Sequence, residues 1–419
     1  MGRLFRRLKP IVDRILYYFY FVFLKATQLP DVLRDRSPEF ISDEIFAPAA
    51  GKTYAIVVKY AGFSLGDDFL ELLKALRRSD INIIVVVNGK LTEAARDTLR
   101  PFAHRIFVRN NIGQDFGAYR AVTVQLLKEG LNPDRIIYCN DSIAYIKGTE
   151  LDQLIQKLIN SKYDVVGSFE NHEYDHHIGS YLFSISGHAF QNPRVQNFWN
   201  DYRPYNIRPY VIKHGEIALS RLLKHCGYRF DVVYSAERLG EHLYTLDLAH
   251  LVELIRYTRP AFRLQPLTEL MSRTLAARDL SRALASSKAE TIQQPHGTPT
   301  IGTYALYRKA IREAGDPNAK TDAVAERLAR DALVDRLMID VTHTSQIHAG
   351  FGLFHRVLGA PLIKKDLLAR AIYMEHDCAL ILDRLPAETR AALMRELVTR
   401  GRPLNVRGFR AFLLRHGLI

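Results

Sequence analysis

The sequence predicts an α/β fold in which helices cover both faces of a mostly parallel sheet. Between residues 50 and 240, short apolar runs rich in Val and Ile alternate with longer segments whose apolar residues recur at helical spacing. Strands separated by helices of this length require right-handed crossovers, which place the strands parallel in one sheet. A chain of 419 residues is longer than one core usually organises, so we expect a second unit.

The individual elements follow from these patterns. The strand candidates are YAIVVKY (54–60), INIIVVVNG (81–89), RIFVR (105–109), RIIYC (135–139), YDVVGSF (163–169) and SYLFSIS (180–186). The helix candidates are GDDFLELLKALRRS (66–79), TEAARDTLRPFA (92–103), FGAYRAVTVQLLKEGL (116–131), ELDQLIQKLINS (150–161), NPRVQNFWNDY (192–202) and EIALSRLLKHCGY (216–228). Thr92 and Asn192 are suitable N-cap residues, and Gly227 is suited to end the last helix.

The pattern changes after residue 240, where strand candidates become rare. The segment ASSKAETIQQPHGTPTIGT (285–303) is polar and rich in helix breakers, which indicates a connector or a long surface loop. Beyond it, segments such as PAETRAALMRELVTRG have the apolar spacing of amphipathic helices. We therefore divide the chain into an N-terminal segment (1–35), an α/β domain (50–240), a connector (241–303) and a mainly helical C-terminal region (304–419).

The N-terminal segment joins basic residues in MGRLFRRLKP to the apolar and aromatic run ILYYFYFVFL (15–24). Ten helical residues span about 15 Å, roughly half the hydrocarbon thickness of a bilayer, so this run is too short to cross a membrane. Aromatic side chains beside basic ones suit the surface of an anionic membrane. Packing of an amphipathic helix on the protein's own core, or an export signal or anchor, are the alternatives.

Charge and cysteine content narrow the class of partner. The chain has 58 Lys and Arg against 45 Asp and Glu, a net charge of +13 that favours phosphate-bearing partners or simply solubility. We recognise no nucleic-acid-binding motif, so nucleotide or diphosphate substrates and anionic lipids are the expected partners rather than nucleic acid. The three cysteines, Cys139, Cys226 and Cys378, are too sparse for a disulfide framework and fit a reducing compartment.

Polar residues follow two strand candidates, where ligands bind in open α/β sheets. NNIGQDFGAYR (110–120) follows RIFVR, and its glycines next to a helix start would let a nucleotide or phosphate approach the backbone. Its spacing matches neither the dinucleotide fingerprint nor a Walker loop, and a simple capped turn is the alternative. Asn140, Asp141 and Ser142 follow RIIYC, where Asp141 could bind a divalent cation or end the strand in a turn.

Two further patterns could carry chemistry. Glu216 is predicted to begin an amphipathic helix near the ligand side of the sheet, as a general base or as a charge stabilised by the helix dipole. HEYDH (172–176) matches the His-Glu-x-x-His pattern of zinc proteases, which requires a helix. Here it lies between two strand candidates, so we expect a loop rather than a protease site. His172, His176 and His177 are then candidates for substrate contact.

Several motifs in order resemble the rhamnan synthesis protein F family of bacterial polysaccharide glycosyltransferases. They are RNNIGQDFGAYR, NDS, DVVGSFENHEYDHHIGSYLFSIS, FWNDY, GEIALSRLLKHCGY and THTSQIHAGFGLFHRVLGAPLIKKDLL. The resemblance covers residues 54–235 and a detached piece at 342–368. It implies a GT-A-like, Rossmannoid nucleotide-sugar transferase fold.

The resemblance also implies roles for individual residues. If Leu219, Gly227 and Tyr228 are aligned with family 2 glycosyltransferases, Glu216 takes the position of the base that deprotonates the acceptor, and the sugar is transferred with inversion. Asp141 takes the role of the Asp-x-Asp carboxylate that binds Mg²⁺ or Mn²⁺ on the donor diphosphate. The sequence departs from that pattern because the motif offers a single carboxylate.

The remaining implied contacts fall into two groups. Donor-binding residues would be Arg109, Asn110, Gly113, Asp115, Arg120, Asn140 and Ser142, with the two arginines able to replace a metal electrostatically. Acceptor or diphosphate contacts would be His177, Ser180, Tyr181 and Lys364, although Lys364 and Lys365 could equally begin a solvated helix.

The expected function is transfer of a sugar from a nucleotide-sugar donor to a surface polysaccharide or lipid-linked glycan such as lipopolysaccharide of the cell envelope. The family name suggests rhamnose from a dTDP donor, and the N-terminal segment suggests peripheral association with the cytoplasmic face of the cell membrane. A catalytically inactive glycan-binding or scaffold protein of a polysaccharide assembly complex is the alternative.

Overall fold

The computed structural model describes residues 2–62, 65–260, 321–342, 344–399, 408–415 and 418. The chain divides into two compact units. The first comprises residues 1–234, 360–370 and 385–419, and the second comprises residues 235–359 and 371–384. The predicted loop at 285–303 lies outside the described residues.

The first unit is built on strands whose bounds agree closely with the apolar runs of the sequence. The strands are β1 (Ser42–Ile45), β2 (Thr53–Gly62), β3 (Asn82–Leu91), β4 (Arg105–Arg109), β5 (Arg135–Asn140), β6 (Ile143–Tyr145), β7 (Val165–Gly167), β8 (Glu170–Asn171), β9 (His177–Ile178), β10 (Leu182–Ser186), β11 (Phe230–Val232) and β12 (Leu362–Lys364). Eight of them form one sheet in the order β1-β4-β3-β2-β5-β10-β7-β11. The pairs β6–β12 and β8–β9 form two small separate sheets.

The main sheet is mixed, with a parallel centre. Strands β4, β3, β2 and β5 run parallel to their neighbours in that series, and β11 runs parallel to β7. Strand β10 is antiparallel to β5 and β7, and β1 is antiparallel to β4. The short β8–β9 hairpin, rather than a crossover helix, joins β7 to β10, so β10 returns antiparallel. The predicted α/β fold with a mostly parallel sheet is confirmed.

Helices accompany this sheet in the first unit, and the described part of the second unit is helical. They are α1 (Gly2–Arg34), α2 (Asp67–Arg78), α3 (Glu93–Leu99), α4 (Gln114–Lys128), α5 (Thr149–Ile159), α6 (Gly187–Gln191), α7 (Pro193–Asp201), α8 (Arg208–Tyr210), α9 (Ala218–His225), α10 (Ala236–Thr245), α11 (Leu248–Leu254), α12 (Thr321–Thr342), α13 (Gln346–Ala349), α14 (Phe351–Leu358), α15 (Glu375–Ile381), α16 (Ala387–Thr399) and α17 (Gly408–Arg415). A π-helical segment, Val211–Ile217, joins α8 to α9. The predicted helical character of the C-terminal region is confirmed, with β12 as an inserted strand.

Helix α1 is apolar on two faces. Tyr17, Tyr20, Phe21 and Leu24 are partly buried against the hydrophobic core of the first unit. On the other side a row of large apolar side chains is exposed: Ile11, Val12, Ile15, Leu16, Tyr18, Phe19, Val22 and Phe23. Within the described residues, no helix is both long enough and apolar enough to cross a membrane.

An aromatic cluster fixes α4 and α7 against the centre of the sheet. The ring of Tyr138 on β5 stacks on Phe183 at 4.8 Å and on Trp199 at 5.6 Å between ring centroids. Phe116 at the start of α4 stacks on the same Trp199 at 5.5 Å. All four rings are buried, so this packing holds the beginning of α4 and the end of β5 in a fixed relationship.

Candidate active site

The turn after β5 is held by hydrogen bonds among its own polar groups. The Oδ1 atom of Asn140 accepts hydrogen bonds from the backbone N–H of Ser142 at 3.1 Å and from its hydroxyl at 2.6 Å. The Nδ2 atom of Asn140 donates to Oδ2 of Asp115 at 2.9 Å. The turn is therefore an Asx-type turn, and it also brings two predicted donor-binding residues, Asn140 and Asp115, together.

Asp141, the next residue of the turn, pairs with a lysine of β2. Its Oδ2 atom lies 2.8 Å from the Nζ atom of Lys59 and accepts a 3.3 Å hydrogen bond from the backbone N–H of Tyr60. Both charged side chains of the pair are largely buried. The position that a divalent cation would take on this oxygen is thus next to an ammonium group.

Lys364 comes from the far end of the chain to the same turn. Strand β12 pairs antiparallel with β6, which places Lys364 opposite Ile143. Its Nζ atom donates to the Ser142 hydroxyl at 2.8 Å and lies 4.8 Å from the centre of the Tyr181 ring. The alternative in which Lys364 begins a solvated helix is wrong, because the residue lies in a strand.

Lys364 interacts electrostatically with two acidic residues of the site, Glu216 and Asp115. Burial, together with a smaller effect of the Arg208 charge, lowers the pKa of its ammonium to about 8, although Asp366, Glu216 and Asp115 oppose the decrease. The side chain of Arg208 is 44% exposed, and its Nη1 atom lies 3.9 Å from Oδ2 of Asp366. Two cations, Lys364 and Arg208, are therefore close enough to Glu216 and Asp115 to interact with them electrostatically.

Glu216 lies inside a continuous helical segment rather than at the start of a helix. The segment begins at Arg208, with Pro209 in its first turn, and Glu216 falls in the π-helical part that precedes α9. The predicted helix start at Glu216 is wrong, and the helix-dipole explanation for this carboxylate does not apply. A π-helical insertion rotates the side chains that follow it, and such insertions are frequent at functional sites.

Glu216 faces His177, and a hydrogen bond to the Asp175 carbonyl fixes the orientation of this imidazole. The Nδ1 atom of His177 lies 2.7 Å from the carbonyl oxygen of Asp175, so it donates its proton there. The Nε2 atom then faces Oε2 of Glu216 at 3.7 Å. The hydroxyl of Ser220 accepts a hydrogen bond from the backbone N–H of Ile178, which ties β9 to the helix that carries Glu216.

Ser180 and Tyr181 lie beside this pair. Ser180 lines the same cavity as Glu216, and its carbonyl oxygen accepts a 3.0 Å hydrogen bond from the hydroxyl of Tyr119. Burial raises the pKa of the Tyr181 hydroxyl well above its ordinary value, and the negative charge of Glu216 raises it further. Tyr181 is therefore a neutral phenol whose ring supports the Lys364 ammonium.

The glycine loop before α4 has its backbone groups engaged within the protein. Gly113 has a φ of +78°, and a Cβ atom there would lie 2.2 Å from Cβ of Pro204. The backbone N–H groups of Gly113 and Gln114 donate to Oδ1 of Asn206 at 2.8 and 3.1 Å. Glycine is thus required by local packing, and these two amides face an asparagine rather than open space. Asn110 is exposed at the beginning of the loop.

Arg109 and Arg120 are placed differently from the other predicted donor-binding residues. Arg109 Nη2 lies 3.1 Å from Oδ1 of Asp35, and Arg120 Nη1 lies 3.2 Å from Oδ2 of the same carboxylate. Burial raises the pKa of the Asp35 carboxyl, and the two guanidinium groups oppose that rise. The three side chains form a buried charge cluster that fixes the end of α1, which accounts for both arginines without a ligand.

The HEYDH motif lies in the loop of the β8–β9 hairpin, as predicted, and not on a helix. The paired histidines and the glutamate of a zinc-protease helix are therefore not arranged as that chemistry requires. His177, the residue immediately after the motif, is the histidine that lies 3.7 Å from Glu216.

Sequence reasoning missed Lys59, Arg208 and Asn206. Lys59 had a detectable signal, since it is the one charged residue in the strand candidate 54–60. Asn206 and Arg208 lie between Pro204 and Pro209 in no recognisable motif, so nothing in the local sequence marks them.

The chain is similar to known proteins over part of its length. An uncharacterized protein of Sinorhizobium fredii (strain NBRC 101917 / NGR234) is 27% identical over 207 residues, which make up 48% of this chain and 54% of that protein. The chain thus spans about half the length of this relative. A glycosyltransferase of Streptococcus pneumoniae TIGR4 is 8% identical, with 44% of this chain and 45% of that chain covered and a TM-score of 0.26.

A mannosyltransferase of Pyrobaculum calidifontis, solved in complex with GDP-Man and Mn²⁺, is 11% identical, with 78% of this chain and 98% of that chain covered and a TM-score of 0.24. At TM-scores this low, neither solved structure carries an argument about activity. The family comparison is more direct. The resemblance to rhamnan synthesis protein F is confirmed for residues 83–280, which the model of that family matches. The motif at 342–368 lies outside the matched residues and stays a prediction.

Proposed function

We propose that this chain is a glycosyltransferase that moves a sugar from a nucleotide-sugar donor to a glycan or lipid-linked acceptor. The observation that carries the proposal is a chain of contacts: Glu216 and Ser180 line one cavity, the ring of the adjacent Tyr181 lies 4.8 Å from the Lys364 ammonium, and Lys364 donates to Ser142. This arrangement puts a carboxylate and a cation at one site near the carboxyl end of β5. The match to the rhamnan synthesis protein F family supports the same reaction class.

In the proposed reaction, the donor diphosphate binds near Lys364 and Arg208. Breaking the bond between the anomeric carbon and the diphosphate leaves negative charge on the departing nucleoside diphosphate. Positioned cations stabilise such charge most effectively where water is excluded, and Lys364 is partly buried. Asp115, hydrogen-bonded to Asn140, is the proposed contact for the hydroxyl groups of the donor.

Glu216 is the proposed general base. Its carboxylate accepts the proton of the acceptor hydroxyl while the acceptor oxygen forms a bond to the anomeric carbon on the side opposite the leaving group. That geometry inverts the configuration at the anomeric carbon. His177, held by the Asp175 carbonyl, positions the carboxylate. A positioned general base contributes roughly 10²–10⁴-fold to a rate.

The predicted Mg²⁺ or Mn²⁺ at Asp141 stays a prediction. The carboxylate oxygen that would bind it is in contact with the Lys59 ammonium, so the residues as arranged do not fit a divalent cation unless Lys59 is displaced. No step of the proposed mechanism passes through a metal. The charge on the diphosphate is assigned to Lys364 and Arg208.

The donor sugar, the acceptor and the location are proposed from the family description and from the exposed face of α1. The family description, rhamnan synthesis, suggests rhamnose as the transferred sugar. We propose a dTDP-linked donor and a surface polysaccharide or lipopolysaccharide acceptor. The exposed apolar row of α1, together with the exposed Arg14, suits the surface of an anionic membrane. We therefore place the protein at the cytoplasmic face of the cell membrane, with its acceptor.

A catalytically inactive glycan-binding or scaffold protein is the second candidate. It is favoured by the pairing of Asp141 with Lys59 and by the engagement of the Gly113 amide with Asn206, because both groups are occupied within the protein. Such a protein would bind glycan without binding nucleotide.

A donor screen that measures release of nucleoside diphosphate tests the proposal and separates it from the alternative. The full chain is incubated with nucleotide sugars, including a dTDP-linked deoxysugar, and with acceptor lipid extracts. Calorimetric titration with nucleoside diphosphates is run in parallel. Binding of a diphosphate together with its release from one donor supports a transferase. Glycan binding with indifference to every nucleotide supports the scaffold.

A further inference from the structure

We propose that the loop of the β8–β9 hairpin binds a divalent transition-metal ion, with Zn²⁺ favoured, through Glu170, His172 and His176. One potential ligand atom of each residue lies within 4.8 Å of the corresponding atoms of the other two. Among the residues that the structure describes, no other set of three or more His, Cys, Asp or Glu side chains meets this condition. The inference does not depend on the proposed glycosyl transfer.

The distances already resemble those of a metal site. The Oε2 atom of Glu170 lies 2.9 Å from Nε2 of His176 and 3.6 Å from Nε2 of His172. Zinc binds imidazole nitrogen and carboxylate oxygen at about 2.0–2.2 Å in tetrahedral geometry, which separates neighbouring ligand atoms by about 3.3–3.5 Å. The two measured separations lie on either side of that range, so small side-chain rotations would complete the site.

The hairpin holds these residues in place. Glu170 pairs with Ile178 across the two strands, and Asn171 pairs with His177, so the strands close directly below the loop. Within the loop, the side chain of Asn171 accepts a 2.8 Å hydrogen bond from the backbone N–H of Glu173. The carboxylate of Glu170 is 12% exposed and the imidazole of His172 is 40% exposed, so an ion can reach a largely buried carboxylate through surface imidazoles.

The ligand types select the class of ion. Two imidazoles and one carboxylate suit Zn²⁺ and similar transition metals, whereas Mg²⁺ and Ca²⁺ prefer sites made of oxygen atoms alone. Three protein ligands leave one tetrahedral position for water. Unlike the helical protease motif, this site takes its carboxylate from outside HEYDH, since Glu170 precedes the motif.

Lys224 competes with the metal. Its Nζ atom lies 2.6 Å from Nδ1 and 2.8 Å from the carbonyl oxygen of His176. An ammonium that donates to Nδ1 leaves the imidazole proton on Nε2, directed at Glu170. When Nε2 binds a metal, the single imidazole proton moves to Nδ1 by exchange with solvent, with no net release, and the hydrogen bond from Lys224 to Nδ1 is lost. Removal of the Lys224 charge is therefore expected to strengthen metal binding.

The test uses the full chain after treatment with a chelator and dialysis. Zn²⁺ is titrated in competition with a chromophoric chelator, and Co²⁺ is added separately because its visible absorption reports tetrahedral coordination. We expect one high-affinity site. H172A and H176A should each weaken it by more than the roughly 10–100-fold that the loss of an outer-shell partner costs. K224M should strengthen it.

H188A and H225A are the matched controls, because both histidines are exposed on the same unit and belong to no ligand set. They should leave the affinity unchanged, and circular dichroism should show all variants folded. The proposal is overturned if the parent chain shows no tetrahedral Co²⁺ spectrum. It is equally overturned if the control variants weaken Zn²⁺ binding as much as H172A and H176A do.

Discussion

The ammonium of Lys59 lies 2.8 Å from the Oδ2 atom of Asp141, at the carboxyl ends of the neighbouring parallel strands β2 and β5. Asp141 is the residue at which a metal-dependent transferase of the implied type would bind its cation. In this chain the same carboxylate is already neutralised by a side chain from the adjacent strand. The Lys59–Asp141 pair therefore decides whether the site uses a metal.

We expect binding of nucleoside diphosphate by the parent chain to be insensitive to EDTA and to added Mn²⁺, because Lys59 neutralises Asp141. In K59M the carboxylate loses its cation, so Mn²⁺ should then enhance diphosphate binding. The measurement is calorimetric titration with and without Mn²⁺. The double variant K59M/D141N is the control and should lose the enhancement. A parent chain that binds diphosphate only with Mn²⁺, and loses this dependence in D141N, would contradict the expectation.

The buried Asp35 cluster provides a test of stability rather than of chemistry. In D35N, the guanidinium groups of Arg109 and Arg120 lose their shared buried carboxylate. Breaking a buried ion pair by removing one partner costs about 3–5 kcal/mol, and we expect the free energy of unfolding to fall by that order. Urea denaturation of the full chain measures the change.

Asp31 offers a matched control for Asp35. It pairs with Arg34 in the same region, but both side chains are more than half exposed, at 57% and 68%. Exposed pairs contribute about 0–1 kcal/mol, so D31N should change the unfolding midpoint little. Equal midpoints for D35N and D31N would show that the buried cluster does not stabilise the fold.

Much of the sheet could be predicted because its strands are continuous apolar runs with short polar boundaries. The run at 54–60 falls within β2, the run at 105–109 matches β4, and the run at 81–89 falls within β3 except for its first residue. Polar residues at the ends of such strands had to come near one another, which is why Asp115 and Asn140 could be grouped from sequence alone.

The parts that escaped prediction depend on tertiary contacts. Strand β12 has only three residues, and it forms because β6 presents an edge to it. The helix start was misplaced because a π-helical segment breaks the spacing of apolar residues that marks a helix. Gly215 within that segment is explained by packing, since a Cβ atom there would lie 2.9 Å from the ring of Phe116. The sequence contains no local sign of that ring.

The exposed row on α1 predicts a membrane contact that can be removed without disturbing the core. Replacing Phe19 and Val22 by Gln removes two exposed apolar side chains and leaves the buried face, with Tyr20 and Leu24, intact. Burial of one large apolar side chain contributes about 1.5–3 kcal/mol, so binding should weaken by about tenfold or more. Sedimentation with vesicles containing anionic lipid measures this.

The control for α1 is M374Q, which changes an apolar side chain of similar exposure elsewhere in the chain. It should sediment like the parent. Undiminished sedimentation of the Phe19 and Val22 variant would place any membrane contact outside the exposed row.

Lys364 predicts a pH dependence of donor binding. With a pKa of about 8 in the folded protein, its ammonium is charged below pH 8 and neutral above it, so affinity for nucleoside diphosphate should fall as pH rises through that value. Hydrogen bonds to charged groups contribute roughly 1.5–3 kcal/mol, so K364M should lose about tenfold or more in affinity at neutral pH. K364R keeps its charge and should bind equally across this range.

The lowered pKa of Lys364 also makes the free energy of unfolding depend on pH. The unfolded lysine keeps its proton up to its ordinary pKa of 10.5, whereas the folded one loses it near 8, so the unfolded state binds more protons between these values. Ionisation of Lys364 should therefore make the free energy of unfolding rise with pH between about 8 and 10.5, and K364M should lack that rise.

K157M, which alters an exposed lysine, is the control for both the binding and the stability measurements. An unchanged pH profile in K364R would rule out Lys364 as the titrating group.

Glu216 carries the clearest test of the chemistry. E216Q keeps the size of the side chain but removes the carboxylate that would accept the acceptor proton. We expect turnover to fall by roughly 10²–10⁴-fold, the contribution of a positioned general base, while donor affinity is retained. Nucleotide release under saturating donor measures turnover, and calorimetric titration measures affinity. E150Q, which changes an exposed glutamate, should behave like the parent. Turnover unchanged in E216Q would reject the base assignment, and equal losses of turnover and donor affinity would assign Glu216 to donor binding instead.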